Sequence, residues 1–146
     1  MTQLSKYFAL SELTVSETAA RRGLKNVPFG KQLDNLKQTA ARMDEIREGL
    51  GKPVIVTSGY RSPEVNASVG GSKTSAHCHG LAVDFTCPGY GSPLAVAKAI
   101  LASGIEFDQL IHEYGAWVHI GFAEPGKPSR KQILTINKRG TLMGLQ

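Results

Sequence analysis

The chain has few cysteines, only Cys78 and Cys87 among 146 residues, and one tryptophan, Trp117. Two thiols nine residues apart do not make a disulfide framework, so the chain is expected to fold in a reducing compartment with both thiols free and neither binding metal. Without a third cysteine, nothing suggests a closed thiolate zinc site of the structural kind. No apolar run approaches the length of a membrane span. The opening Thr2, Gln3, Ser5 and Lys6 do not read as a basic region followed by the apolar core of an export signal. The expectation is a chain made in the cytoplasm with no integral membrane segment. Acidic side chains are the scarcer charged class, 12 Asp and Glu against 17 Lys and Arg, which leaves a net charge of +5. That excess favours an anionic partner, whether nucleic acid, membrane or bacterial wall. Arg21, Arg22, Lys25, Lys127, Arg130, Lys131, Lys138 and Arg139 are dispersed among polar and apolar residues and lie in no nucleic-acid-binding motif. They read as solvated surface, and no nucleic-acid partner is expected. No repeat or low-complexity linker interrupts the chain, and a 41% hydrophobic composition suits one domain over 1–146, expected to be a monomer.

Ser16 is placed to cap a short helix through Arg22 that Gly23 ends. Leu33, Leu36, Ala40, Met43, Ile46 and Leu50 recur every three or four residues and predict a helix from about 32 to 50, stopped by Gly51 and Pro53. Ser92 and Pro93 open a third helix that closes near Gly104. The stretch 62–75, with Gly70 and Gly71, reads as turn and loop. Strands are expected near 54–57, 81–86, 107–113, 117–122 and 132–137. Early helices followed by hairpin-linked strands predict an α+β fold with a mostly antiparallel sheet and helices packed on it.

The stretch Ser75-Ala-His77-Cys-His79-Gly80-Leu-Ala82-Val-Asp84 concentrates the chemistry. Alternation sends Leu81, Val83 and Phe85 to one face of a strand and Ala82 and Asp84 to the other. Gly80 and Ala82 are small enough for an imidazole-bearing loop to fold back towards Asp84. With His119 in a second apolar run, two imidazoles and one carboxylate make a three-ligand zinc centre that keeps a position open for water or substrate, the arrangement of a catalytic site. Periodicity alone does not choose between His77 and His79, and a lone histidine in an apolar strand is more often a core or surface residue than a ligand.

The pattern Ser75-x-His77-x-x-Gly80-x-Ala82-x-Asp84 resembles the signature of the zinc D-alanyl-D-alanine peptidase family. So do Ser58-Gly59-Tyr60-Arg61-Ser62 with Asn66 upstream, and Trp117-Val118-His119 downstream. Phe8-Ala-Leu-Ser11-Glu12-Leu13 is similar to the opening of the short phage and bacterial members. The resemblance covers roughly residues 53–122 with its blocks in order. It implies the same α+β fold and one zinc ion per chain on His77, Asp84 and His119, with His79 left as a neighbouring or structural residue. It also implies that Arg61 approaches the scissile carbonyl, where a fixed guanidinium stabilises the developing oxyanion. The alternative is an arginine that pins its loop through carbonyl hydrogen bonds. Ser75 near the metal, and Tyr60 and Trp117 as flat walls for a peptide, are candidate substrate contacts, each equally readable as packing.

Many members of that family carry the proton-transferring carboxylate three residues before the last histidine, where this chain has Ala116. The nearest acid is Glu113. A three-residue loop at Gly115 to Trp117 would pair Tyr114 with Val118 and set Glu113 opposite His119. A two-residue loop at Gly115 and Ala116 would pair His112 with His119 instead. The first register is preferred, because Glu113-x-x-x-Trp117-x-His119 also resembles the zinc site of the hedgehog N-terminal signalling domain, where a glutamate holds the corresponding position. His112 is then expected to face solvent or flank the site. The function implied is a zinc peptidase acting on peptidoglycan stem peptides, of the phage endolysin type and acting at the wall. Its rivals are a D-alanyl-D-alanine carboxypeptidase that trims termini, and a non-catalytic zinc-containing wall-binding module.

Overall fold

The computed structural model describes residues 2–146. Three helices follow directly from local chemistry. In α2 (Glu17–Arg22), Ser16 Oγ accepts from Ala19 N and Gly23 ends the helix at φ 65°. In α3 (Lys31–Leu50), Gly51 at φ 70° donates its N–H to the Arg47 carbonyl. In α5 (Pro93–Ser103), Ser92 caps and Pro93 fills the first turn. Besides these, α1 (Leu10–Leu13) is a single turn. The stretch 62–75, expected as loop, contains α4 (Pro63–Ser68), with Ser62 Oγ accepting from Val65 N.

The strands are β1 (Ile55–Ser58), β2 (Ala82–Thr86), β3 (Gln109–Glu113), β4 (Trp117–Gly121), β5 (Gln132–Asn137) and β6 (Gly140–Met143), in the order β1-β2-β4-β3-β5-β6. Every neighbouring pair is antiparallel except β3 with β5. This is the expected α+β domain with a mostly antiparallel sheet; β6 is an additional strand.

Alternation divides the sheet into two unlike faces. Val83, Phe85, Leu110, Val118 and Ile120 join Leu36, Ala40, Met43 and Ile46 of α3 and Val96, Ala97 and Ile100 of α5 in one hydrophobic core. The register also aligns one residue from each strand in a row on the other face: Ser58, Asp84, His119, Ile111, Leu134 and Met143. Ile111 and Leu134 are buried but stand outside the helix-packed core.

The β3–β4 hairpin takes neither of the registers expected from sequence. Glu113 pairs with Trp117, His112 with Val118 and Ile111 with His119, leaving residues 114–116 as the loop. Tyr114 and Gly115 both adopt positive φ, 55° and 64°, and Ala116 N donates to the Glu113 carbonyl. Two successive left-handed residues make the tight turn whose twist matches a hairpin. Tyr114 rarely takes that conformation, so the sequence did not advertise it. The shift from the preferred register is an even one, so Glu113 keeps the face of His119 but lies diagonal to it.

Candidate metal centre

The turn that carries His77 is held at four points. Ser75 Oγ caps the 3₁₀ turn Ala76–His79 by accepting from His77 N, and Gly80 closes it at φ 73°. From α3, Asn35 Nδ2 donates to the His79 carbonyl at 3.0 Å and Thr39 Oγ1 donates to the Gly80 carbonyl at 2.7 Å. These two polar residues lie buried on the apolar stripe of α3, which is why hydrophobic periodicity did not reveal them. A Cβ at Gly80 would stand 2.5 Å from the Gln32 carbonyl oxygen, so the turn can seat this closely on α3 only with glycine there.

His77 Nδ1 lies 2.7 Å from the Gly59 carbonyl. A carbonyl only accepts, so Nδ1 carries the proton and the lone pair is on Nε2. That Nε2 is buried without a hydrogen-bond partner and points to Asp84 Oδ1 at 3.3 Å. His119 Nδ1 lies 2.8 Å from the same oxygen. All three ligand atoms fall within 4.8 Å of one another, and the two imidazoles meet edge to face with centroids 5.1 Å apart. Two nitrogens and a carboxylate oxygen, with a buried imidazole lone pair otherwise unsatisfied, fit a single divalent ion such as zinc. Burial alone would push the Asp84 carboxyl up, but the His119 and His77 imidazoles beside it outweigh that and hold the group well below the usual carboxylate range.

Arg61 and Glu113 stand on opposite sides of this group. Arg61 places NH2 3.5 Å from Asp84 Oδ2, donates Nε to Ser58 Oγ at 3.2 Å and NH1 to Asn66 Oδ1 at 3.4 Å. Its backbone N–H donates to the His77 carbonyl. The guanidinium is thus oriented by side chains, and the loop is pinned by the backbone. Asn26 fixes that loop further, donating to the Thr14 and Tyr60 carbonyls and accepting from Ser62 N. On the other side, Glu113 Oε1 is 4.0 Å from His119 Nδ1. Burial, reinforced by the nearby Asp84 charge, raises the Glu113 carboxyl against the pull of His119 and Arg61.

Several expectations change. His79 is exposed and contributes only its carbonyl to α3. His112 is buried, on the opposite face from His119, with Nδ1 against the Gln146 carbonyl at 3.0 Å. Tyr60 is 3% exposed and belongs to the core, so it is no open wall. Trp117 is half-buried on the Glu113 side, its ring 5.6 Å from that of Tyr114 and its Nε1 without a partner. Cys78 and Cys87 are free thiols as expected. Asn35, Thr39 and Asn26 stood out in no sequence motif, and Ser58 entered only as a member of the block around Arg61, with no role of its own. The Asn and Thr at i and i+4 on the buried side of α3 were the available signal for two of them.

A His–Asp–His group on an α+β sheet, flanked by a half-buried glutamate and a fixed guanidinium, has the makings of a mononuclear metallohydrolase. Residues 6–121 match the family model of Peptidase M15, and the chain belongs to that family, the zinc D-Ala-D-Ala peptidases. At the family level this makes it a metallopeptidase acting on peptidoglycan. The match ends with β4, so β5 and β6 lie beyond it. No curated protein sequence matches the chain. None of the helices among the described residues is long and apolar enough to cross a membrane.

Proposed function

We propose that this chain is a zinc endopeptidase that cuts peptidoglycan stem peptides at the wall, in the manner of a phage endolysin. The observation that carries the reading is the convergence of His77 Nε2, Asp84 and His119 Nδ1 between Arg61 and Glu113. His77, Asp84 and His119 would hold the ion, which supplies Lewis acidity to the scissile carbonyl and to a water molecule. Glu113 accepts the proton of the attacking water and returns it to the leaving amine; its raised affinity for a proton suits both halves of that exchange. Arg61, already fixed by Ser58 and Asn66, donates to the carbonyl oxygen as negative charge develops there. The net charge of +5 favours retention on anionic wall polymers.

The test is purified protein on isolated walls, with zinc or with chelator, and mass spectrometry of the products. Zinc-dependent release of stem-peptide fragments is expected. Release of terminal D-alanine alone, with wall turbidity unchanged, would make the protein a carboxypeptidase. Zinc binding and wall retention without any hydrolysis would make it a binding module.

A further inference from the structure

The net charge of +5 is not spread along the chain. All 12 acidic residues lie at or before Glu124, whereas five of the 17 basic ones, Lys127, Arg130, Lys131, Lys138 and Arg139, lie after it. Residues 1–124 therefore carry equal numbers of each sign, and the whole excess falls in 125–146, beyond the stretch 6–121 that the family shares. Within that segment Arg130 pairs with Asp108 at 2.8 Å, and Lys127 shares Glu124 with Lys31. Lys138 and Arg139 are exposed and form no ion pair among the described residues. Asn137 pairs with Gly140, so these two cations make up the β5–β6 turn, which Asn137 Oδ1 stiffens by accepting from Arg139 N at 2.8 Å. The parallel register sets Ile136 opposite Glu113, and Tyr114 N donates to the Ile136 carbonyl at 2.7 Å. The β5–β6 turn thus stands beside the β3–β4 turn, at the end of the sheet where Glu113 borders the metal centre. Tyr114 is 56% exposed there.

We propose that Lys138, Arg139 and the exposed Tyr114 ring form a docking surface for a phosphodiester-linked anionic polymer of the bacterial wall, one with sugars or polyols between its phosphates. The wall as target rests on the peptidase reading above, although docking itself needs no hydrolysis. Charge complementarity points to the phosphates. Two adjacent unpaired cations on a hydrogen-bonded turn lose little freedom when they meet a chain of negative charges. A surface charged only for solubility mixes both signs, and residues 125–146 hold no acid at all. The neighbouring aromatic ring offers an apolar face to the carbon-bound hydrogens of a sugar or polyol. Nucleic acid also combines phosphates with groups that stack on rings, and position decides between the two. A polymer joined to peptidoglycan and held at this turn keeps stem peptides near Glu113, whereas nucleic acid would crowd the same end of the sheet and bring the metal centre nothing to cut.

The test is co-sedimentation of the zinc-loaded protein with isolated walls that carry such a polymer, with the same walls after acid extraction of it, and with double-stranded DNA, each at low and at moderate salt. Parental retention should be strongest on the polymer-bearing walls and should fall as salt rises. Lys138→Gln combined with Arg139→Gln should weaken it about tenfold and flatten its salt dependence. Lys37→Gln combined with Lys98→Gln removes the same charge from α3 and α5, over the other face of the sheet, and should leave retention within about twofold of the parent. Tyr114→Asn, which tolerates the positive φ at that position, should weaken retention about threefold with the salt dependence kept. Equal losses in the two double variants, unchanged retention in the first of them or in Tyr114→Asn, equal retention on extracted walls, or tighter binding to DNA overturns the docking surface. Cleavage of a short soluble stem peptide, followed on the same samples, should be the same in the Lys138 and Arg139 double variant as in the parent. A parental protein that docks through the turn yet cleaves no peptide would overturn the peptidase reading and leave the docking surface standing.

Discussion

Glu113 and His77 are the residues on which the chemistry turns, and each can be separated from a neighbour that sequence alone could not discount. Glu113→Gln keeps the shape and the hydrogen-bonding reach beside His119 while removing the base. Metal content should therefore persist while turnover falls about a hundredfold to ten-thousandfold, measured by atomic absorption and by peptide cleavage on one sample. His77→Ala should lose the metal and His79→Ala should keep it, because only His77 turns a buried lone pair towards Asp84. A zinc titration of the two variants decides between them. The ligands were legible in the sequence because His77, Asp84 and His119 occupy spaced motifs whose chemistry is confined to the residue type. The residues that hold them were not. Asn35 and Thr39 are polar side chains on a stripe identified by its apolar members, and the buried His112 finds its hydrogen-bond partner at the Gln146 carbonyl, far away in sequence.

Among the elements, α2, α3 and α5 announced themselves through Ser caps, glycine stops and, in α3, a long apolar period. The short α4 did not, although Ser62-Pro63-Glu64 is a helix opening, because Gly70 and Gly71 drew the whole stretch into a loop reading. Likewise β6, four residues with little apolar alternation, gains its strand only by pairing with β5. The contact between α3 and the 3₁₀ turn gives an element-scale prediction. Thr39→Val removes the donor to the buried Gly80 carbonyl and should cost about 1–3 kcal/mol in denaturant unfolding, with weaker metal binding as the turn loosens. A second concerns the start of the parallel β3–β5 pair. Asp108 accepts from Arg130 N and pairs with its guanidinium at 2.8 Å. These Arg130 hydrogen bonds hold the Asp108 carboxyl below its usual range against the opposing effect of burial. A depressed folded-state value stabilises above the unfolded pKa of about 3.9 and is lost as pH falls through the folded one. Asp108→Asn should thus be less stable than the parent by about 0.5–1 kcal/mol near neutrality, a small figure because Arg130 is largely exposed. The two melting curves should converge in strong acid.

For the molecule as a whole, one ion would tie together a turn and two strands whose donors span residues 77 to 119. A ligand that binds only the folded state at a thousandfold over its dissociation constant adds about 4 kcal/mol. In a domain of this size that raises Tm by on the order of 10 °C. Calorimetry with zinc and with chelator should show a gap of that size, and His77→Ala should abolish it. The strand order carries a kinetic consequence as well. β4 lies between β2 and β3, so Asp84 and His119 become neighbours only when the locally formed β3–β4 hairpin inserts beside β2, a pairing that spans 35 residues. Hairpins close in microseconds, whereas such distant pairings are slow. A refolding chain offered zinc from the start would meet its donors still apart, and the rate at which it captures the ion would time the docking of the hairpin.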